Sequence, residues 1–148
     1  MTEQRICVAR DAAQLPVLTR FLKEFWSATR LPPADSVKFE LALEEVFMNV
    51  VMHGSPGAGT QVEVSVILCD GGLTLMVEDD GPAFDPLLLP APDVAASLEE
   101  RKVGGLGVFL VRQMMDAVSY QRVAARNQLR MTKRLIAGGA APGVASGV

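Results

Sequence analysis

Three side chains in one stretch of the sequence have types and a spacing that suit proton transfer and metal binding. Glu45, Asn49 and His53 lie four residues apart, so on a helix they fall within a sector of about 80°. A carboxylate can accept a proton, and an amide oxygen is a suitable hard ligand for Mg²⁺. A satisfied polar seam has the same spacing, so spacing alone leaves both interpretations open. Glu44 points about 100° away from this stripe, and His53 by itself is typical of a helix end.

Two further segments carry glycine where a ligand could approach the backbone. Residues 79–81 (Asp-Asp-Gly) follow a strand pattern, and a carboxylate next to glycine at a strand exit suits a closely bound ligand; an ordinary acidic turn looks the same. Residues 104–107 (Gly-Gly-Leu-Gly) precede a helix, whose free N–H groups and dipole favour phosphate. This cluster is neither a P-loop nor a dinucleotide fingerprint, and a flexible hinge is its alternative interpretation.

Hydrophobic periodicity predicts the elements that position these segments. Apolar residues at helical spacing predict helices over 15–29, from Asp35 or Ser36 to His53, and over 108–115. Alternation predicts strands over 5–9, 61–69, 73–77, 117–123 and 128–135, with turns at 70–72 and at Arg126-Asn127. Residues 79–102 are irregular, with at most a short helix near 93–101. Because helices and strands come in blocks, we expect an α+β two-layer sandwich with helices on one face of a mostly antiparallel sheet.

The composition is that of one folded domain. Of 148 residues, 49% are hydrophobic and 21% are charged, with a net charge of −3, which excludes wholesale disorder and disfavours broad nucleic-acid binding. Cys7 and Cys69 cannot form a disulfide framework, and we expect reduced core thiols of a cytoplasmic protein. We expect no signal peptide and no membrane span. A domain over residues 1–137 is expected to precede a disordered tail over 138–148.

The motifs together resemble the GHKL ATPase superfamily, which includes gyrase-type, chaperone and histidine-kinase ATP-binding domains. Their order is Glu-x-x-x-Asn on a helix, Asp-x-Gly-x-x-Phe after a strand and Gly-Gly-x-Gly before a helix. Residues 43–53 (LEEVFMNVVMH), 79–86 (DDGPAFDP) and 105–111 (GLGVFLV) are similar to bacterial anti-sigma-factor serine/threonine kinases, as is the ending over 127–135. The resemblance covers about residues 5–135 and implies the GHKL (Bergerat) ATP-binding fold.

The resemblance implies a role for each matching residue. Glu45 would be the general base, Asn49 would bind Mg²⁺, and Asp79 would accept a hydrogen bond from the adenine amino group. The other ATP-binding positions would be Gly81 and Ala83 near the adenine, and Gly104, Gly105, Leu106 and Gly107 near the phosphates. Ala83 replaces a glycine that the superfamily often has. The ATP lid between Phe84 and Gly104 is short, and its cations are Arg101 and Lys102.

The implied function is an ATP-dependent serine/threonine protein kinase that acts as an anti-sigma regulatory factor. It would use ATP and Mg²⁺ to phosphorylate a small anti-sigma-factor antagonist protein, with a sigma factor as a further partner and a homodimer as the assembly. Neither nucleic acid nor a membrane is an expected partner. The alternative is a non-catalytic ATP-binding regulatory module that binds a partner protein. A sensor-kinase catalytic domain is disfavoured, because the sequence has no dimerisation helix pair with a phospho-accepting histidine.

Overall fold

A five-stranded antiparallel sheet carries three helices. The computed structural model describes residues 1–53, 61–88 and 105–135. The strands are β1 (Thr2–Ala9), β2 (Gln61–Cys69), β3 (Gly72–Asp79), β4 (Ala117–Val123) and β5 (Arg126–Arg134), and the helices are α1 (Leu15–Thr29), α2 (Pro33–His53) and α3 (Gly105–Met114). Short 3-10 turns cover Ala12–Gln14 and Pro86–Leu88. The strands are ordered β1-β2-β3-β5-β4, each antiparallel to its neighbours. The predicted α+β sandwich is confirmed.

Alternation along the strands gives the sheet one apolar face. Val64 lies opposite Val77, which lies opposite Leu129, and all three side chains are buried. The helices contribute buried side chains to the same core, namely Leu18, Leu22, Phe25, Trp26, Phe39, Leu43, Val46, Phe47 and Val111, and Met115 joins them just after α3. Each large apolar side chain buried in this way stabilises the fold by about 1.5–3 kcal/mol. The shared core therefore holds all three helices on one face of the sheet.

The opposite face of the sheet is largely polar, and Cys7 lies on it. Cys7 lies opposite Glu63 on this face, and its thiol donates a hydrogen bond to Gln61 Oε1 at 2.8 Å. Cys69 ends β2 beside the turn at Asp70. Both cysteines are free and exposed, so the prediction of core thiols was wrong, because alternation placed Cys7 on the uncovered face.

Two helices begin earlier than predicted. α2 begins at Pro33. Proline suits the first helical position because the N–H group that it lacks would have no acceptor within the helix there. Ser36 does not cap this helix, because its hydroxyl donates back to the Pro33 carbonyl oxygen at 2.9 Å. α3 begins at Gly105 instead of Val108, so part of the glycine cluster lies inside its first turn.

The last hairpin also turns at a different place from the one predicted. Ala124 and Ala125 form the turn between β4 and β5 with φ values of 50° and 63°, and Arg126 and Asn127 belong to β5. The other hairpin turns at Asp70-Gly71 as predicted, with φ values of 51° and 78°. The short helix predicted near 93–101 and the tail from 138 lie outside the described residues. In the described part of the chain, no helix has both the length and the apolarity of a membrane span.

The alanine turn predicts a stabilising substitution. A residue with a Cβ atom loses roughly 1–2 kcal/mol in the left-handed conformation, whereas glycine adopts it freely. Ala125→Gly should therefore raise the free energy of unfolding by about 0.5–1 kcal/mol, measured by urea denaturation. Ala28→Gly, at an exposed helical position in α1, is the control and should lower it by about 1 kcal/mol. Equal losses in both variants would contradict the assignment of the turn.

Candidate functional site

The C-terminal half of α2 presents the predicted polar stripe beside the sheet. Glu45 is half-buried, Asn49 is buried, and His53 is exposed at the last residue of the helix. Burial raises the pKa of the Glu45 carboxyl above its ordinary value, and the negative charge of the exposed Glu44 raises it further. A carboxyl whose pKa is raised toward neutrality is better matched to proton transfer at neutral pH. Glu45 and Glu44 therefore differ in chemistry although they are adjacent in sequence.

Asn49 has unused hydrogen-bonding capacity in a buried position. Only 3% of its surface is exposed, and its amide nitrogen has no hydrogen-bond partner among the described residues. Buried polar atoms are almost always paired, so an exception indicates a missing ligand or water. Mg²⁺ takes oxygen ligands, often only one or two of them from the protein, with water and phosphate completing the shell. The unpaired nitrogen calls for an acceptor such as a phosphate oxygen, whereas the amide oxygen is the atom that could bind Mg²⁺. The described residues contain no cluster of three acidic, His or Cys side chains that would hold a metal alone.

The first turn of α3 lies directly against the Glu45 carboxylate. A Cβ atom added to Gly107 would overlap Glu45 Oε2 and lie 2.8 Å from its Cδ, so a larger residue there would force the Glu45 carboxylate to move. The N–H groups of a first helical turn have no acceptor within the helix and carry the positive end of its dipole. The proton acceptor and the candidate phosphate-binding turn are therefore neighbours in space.

Asp79 ends β3 as a buried carboxylate with one oxygen fully engaged. It is 8% exposed. Its Oδ1 accepts hydrogen bonds from the Gly81 backbone nitrogen at 2.9 Å and from Asn127 Nδ2 at 3.0 Å. Its Oδ2 accepts none from the residues that the structure describes. The protein thus holds one oxygen and leaves the other to accept a hydrogen bond from a ligand.

A narrow pocket joins the α2 stripe to the end of β3. It is lined by Val46, Asn49, Val50, Val77, Asp79, Phe84, Pro86, Tyr120, Asn127 and Leu129. A larger depression lies along the outside of α1, but the described residues that line it all belong to that helix and to none of the motifs. Its apolar walls and its carboxylate acceptor match the chemistry of a flat heterocycle that carries an amino group. We therefore take the smaller pocket as the candidate site.

Comparison with known protein families identifies the family to which this chain belongs. The histidine kinase-like ATPase domain matches residues 8–133, which run from the last two residues of β1 through nearly all of β5. The chain belongs to this family. An ATPase domain implies ATP as the nucleotide, in agreement with the resemblance on which the sequence analysis depended.

Proteins similar in sequence to this chain include protein kinases. The serine/threonine-protein kinase BtrW of Bordetella bronchiseptica is 32% identical over 114 residues, which cover 75% of each chain. The serine-protein kinase RsbW of Listeria monocytogenes is 30% identical over 84 residues, 53% of this chain and 54% of that kinase. The crystal structure of the RsbU and RsbW domains of a Mycobacterium tuberculosis protein matches with a TM-score of 0.65 at 16% identity, covering 91% of this chain and 33% of that one. This structural match shows the shared fold.

In this ATPase domain, Asn127 is a pocket residue that the sequence analysis assigned to a turn. It is 5% exposed at the start of β5, and the β3–β5 register places it opposite Asp79. Its amide donates to Asp79 Oδ1, as described above, and to the Pro82 carbonyl oxygen at 2.9 Å. An Arg-Asn pair is typical of turns, so local sequence gave no signal for this role; only the pairing of the two strands reveals it.

The loop after β3 is held to the end of α2 by an aromatic stack. His53 stacks on Phe84, with ring centroids 4.7 Å apart and planes inclined by 17°. Arg10 Nη1 donates to the Val51 carbonyl oxygen at 3.2 Å, where a cation also interacts favourably with the helix dipole. His53 therefore packs as a helix-end residue, in agreement with its interpretation from the sequence.

The remaining predicted positions are distributed unevenly around the pocket. Gly81 is buried beside Asp79, whereas Ala83 is exposed and is absent from the pocket lining. Gly105 and Leu106 lie in the first turn of α3 with Gly107. Gly104 and the lid cations Arg101 and Lys102 lie outside the described residues.

The raised pKa of Glu45 predicts a gain in stability when its charge is removed. Because the folded-state pKa lies above that of the unfolded chain, ionised Glu45 destabilises the fold above the folded pKa; this penalty is lost as the pH falls below the ordinary value of 4.5. Glu45→Gln should therefore be more stable than wild type at neutral pH, and this advantage should disappear in acid. Urea denaturation at both pH values measures it.

The neighbouring glutamate provides the control. Glu44→Gln removes only the electrostatic repulsion, which is the smaller cause of the shift, so its gain should be smaller. A loss of stability in Glu45→Gln at neutral pH would show that the ionised carboxylate makes net favourable contacts.

Proposed function

We propose that this protein is an ATP-dependent serine/threonine protein kinase that acts as an anti-sigma regulatory factor and phosphorylates a small anti-sigma-factor antagonist protein. The observation that carries the proposal is the contact of Glu45 with the first turn of α3, next to a pocket that ends on Asp79. The family match supports ATP as the nucleotide. The kinase relatives, at 32% and 30% identity, support phosphoryl transfer to a protein hydroxyl.

Nucleotide binding is divided between the two ends of the site. The free Oδ2 of Asp79 would accept a hydrogen bond from the adenine amino group, while the buried Gly81 lets the base approach the backbone. Apolar side chains such as Val50 and Leu129 line the walls of the slot. The phosphates would then bind to the backbone N–H groups of the α3 first turn, Gly105–Gly107.

Asn49 is the residue that would hold Mg²⁺. When bound, Mg²⁺ neutralises charge on the phosphate oxygens during phosphoryl transfer. Asn49 suits this role because its amide is buried and lies one helical turn after Glu45. Its oxygen would hold the metal, and its nitrogen, which has no partner among the described residues, would donate to a phosphate oxygen. The rigid helix keeps the two side chains at a constant separation.

Glu45 is the residue that would take the proton in the transfer step. The substrate hydroxyl loses its proton to the Glu45 carboxylate, and its oxygen forms a bond to the γ-phosphorus of ATP. The bond between that phosphorus and the β–γ bridging oxygen breaks, and ADP leaves with the electron pair. Such transfer depends on positioning and charge neutralisation, both of which the α2–α3 contact would provide.

The proposed partners are proteins, and the helices that carry the site have surfaces suited to them. Five large apolar side chains among the described residues of α2 and α3 are exposed, namely Val37, Leu41, Met52, Phe109 and Leu110. Exposed apolar groups of this size are typical of protein contact surfaces when they cluster. A sigma factor that competes with the antagonist protein, and a homodimer, complete the proposal.

Nucleotide binding should depend on Asp79. In Asp79→Asn an amide replaces the carboxylate, so the adenine amino group loses a charged acceptor worth about 1.5–3 kcal/mol. Calorimetry with ADP should therefore show weaker binding by that amount. The control is Glu78→Gln, which changes the preceding carboxylate on the opposite face of β3 and should bind ADP normally. Unchanged affinity in Asp79→Asn would remove Asp79 from the site.

Phosphoryl transfer should separate the α2 residues by role. Glu45→Gln keeps the shape but not the proton acceptor, so at saturating ATP it should transfer phosphate roughly 10²–10⁴-fold more slowly while still binding nucleotide. Asn49→Ala should also weaken Mg²⁺-dependent nucleotide binding, because the metal loses a ligand. The assay follows labelled phosphate from ATP to candidate antagonist proteins.

Two results would redirect the proposal. Glu44→Gln is the control and should be nearly silent, since Glu44 is exposed and lies off the stripe; normal turnover by Glu45→Gln with an inactive Glu44→Gln would reverse the assignment of the base. Tight ATP binding by wild type without transfer to any antagonist-type protein would favour the non-catalytic module.

A further inference from the structure

We propose that Asn127 is a positioning residue that sets the base selectivity of the pocket, by fixing the orientation in which the Asp79 carboxylate faces the ligand. The inference rests on the proposed function, because it takes the ligand to be a nucleotide whose base enters the slot beside Asp79. It concerns a residue of β5 that needs no contact with the nucleotide itself.

Hydrogen bonds determine the orientation of the Asn127 amide. Its oxygen accepts from three donors: the Phe84 backbone nitrogen at 3.1 Å, the Tyr120 hydroxyl at 2.5 Å and Arg122 Nη1 at 3.1 Å. Its nitrogen donates to two acceptors, Asp79 Oδ1 at 3.0 Å and the Pro82 carbonyl oxygen at 2.9 Å. If the amide were reversed, its NH₂ group would face three donors and its oxygen would face the Asp79 and Pro82 oxygens. The NH₂ group therefore points at Asp79 in the only orientation that satisfies its neighbours.

The amide determines how Asp79 meets a ligand. With Asn127 and Gly81 both donating to Oδ1, the carboxylate cannot turn without losing two hydrogen bonds. The amide thereby holds the plane of the carboxylate, so that its other oxygen, which as part of a carboxylate can only accept, faces the slot at a constant angle. A base that presents an amino group at this point is accepted. A base that presents a carbonyl oxygen there meets a second acceptor and is rejected.

The same side chain ties the loop after β3 to the sheet. It bonds the backbone of Pro82 and Phe84, and Arg122, which also bonds Asn127, donates to the Gly81 carbonyl oxygen at 2.8 Å. Asn127 therefore sets both the acceptor and the wall next to it. Neither β5 nor the loop could shift alone without breaking this network.

A matched pair on the opposite face of the same two strands supplies the control. Glu78 and Gln128 are adjacent to Asp79 and Asn127 in the same register, and Gln128 Nε2 donates to Glu78 Oε2 at 2.5 Å. This pair is likewise an amide with a carboxylate, but it lies outside the pocket. Substitution of Gln128 thus perturbs the same strands without touching the site.

The test measures the affinities of ADP and inosine diphosphate, in which a carbonyl replaces the adenine amino group, by calorimetry at pH 7. Wild type should prefer ADP. Asn127→Ala should lose about tenfold or more of this preference, as expected when one hydrogen bond no longer holds a charged group. Asn127→Asp should lose at least as much, because two carboxylates this close share a proton and Asp79 can then donate to a carbonyl. Gln128→Ala should keep the wild-type preference.

The ratio of the two affinities separates positioning from general damage. A variant that merely loosens the fold weakens both ligands together and leaves their ratio unchanged. Asn127→Asp has nearly the shape of wild type, so it carries the test if Asn127→Ala does not fold. A wild-type ratio in the folded Asn127 variants would overturn this inference and leave the proposed function intact. Wild-type protein that bound no adenine nucleotide would overturn both.

Discussion

The buried carboxylate of Asp79 depends on hydrogen bonds that separate segments of the chain bring to it. A charge removed from water is tolerated only where donors replace the lost solvation, and here Gly81 and Asn127 supply them. Asn127 can do so only because β3 and β5 pair with Asp79 opposite it. A slip of one residue would turn its side chain to the other face of the sheet. The register that builds the apolar core therefore also builds the pocket.

Helix α2 links this core to the rest of the site. Its buried side chains, among them Phe39, Leu43 and Phe47, fix its rotation against the sheet, so Glu45 and Asn49 emerge at the boundary between the core and the pocket. Side chains on a packed helix hold their positions better than side chains on a loop. The contact between Glu45 and the first turn of α3 then brings the N-terminus of α3 to the site.

The residues that could be predicted were those whose role depends on local pattern. Helical periodicity gave the bounds of α1, and the spacing of Glu45 and Asn49 gave their common face. Residues that depend on tertiary contacts were missed. Asn127 was assigned to a turn because Ala124 and Ala125 have no intrinsic preference for the left-handed conformation. Alternation placed Cys7 on one side of a strand, but it could not tell which side the helices would cover.

The close approach of Gly107 to Glu45 limits how this sequence can drift. Helix propensity favours alanine over glycine by about 1 kcal/mol, so alanine at position 107 would stabilise α3 taken by itself. An added Cβ atom, however, occupies the space that the Glu45 carboxylate fills. Such a replacement would push the Glu45 carboxylate, the proposed proton acceptor, away from the first turn of α3. Descendants that keep the fold but abandon the chemistry are free to fill position 107. Whether glycine remains there is therefore a marker, readable from sequence alone, of lineages that still use the carboxylate.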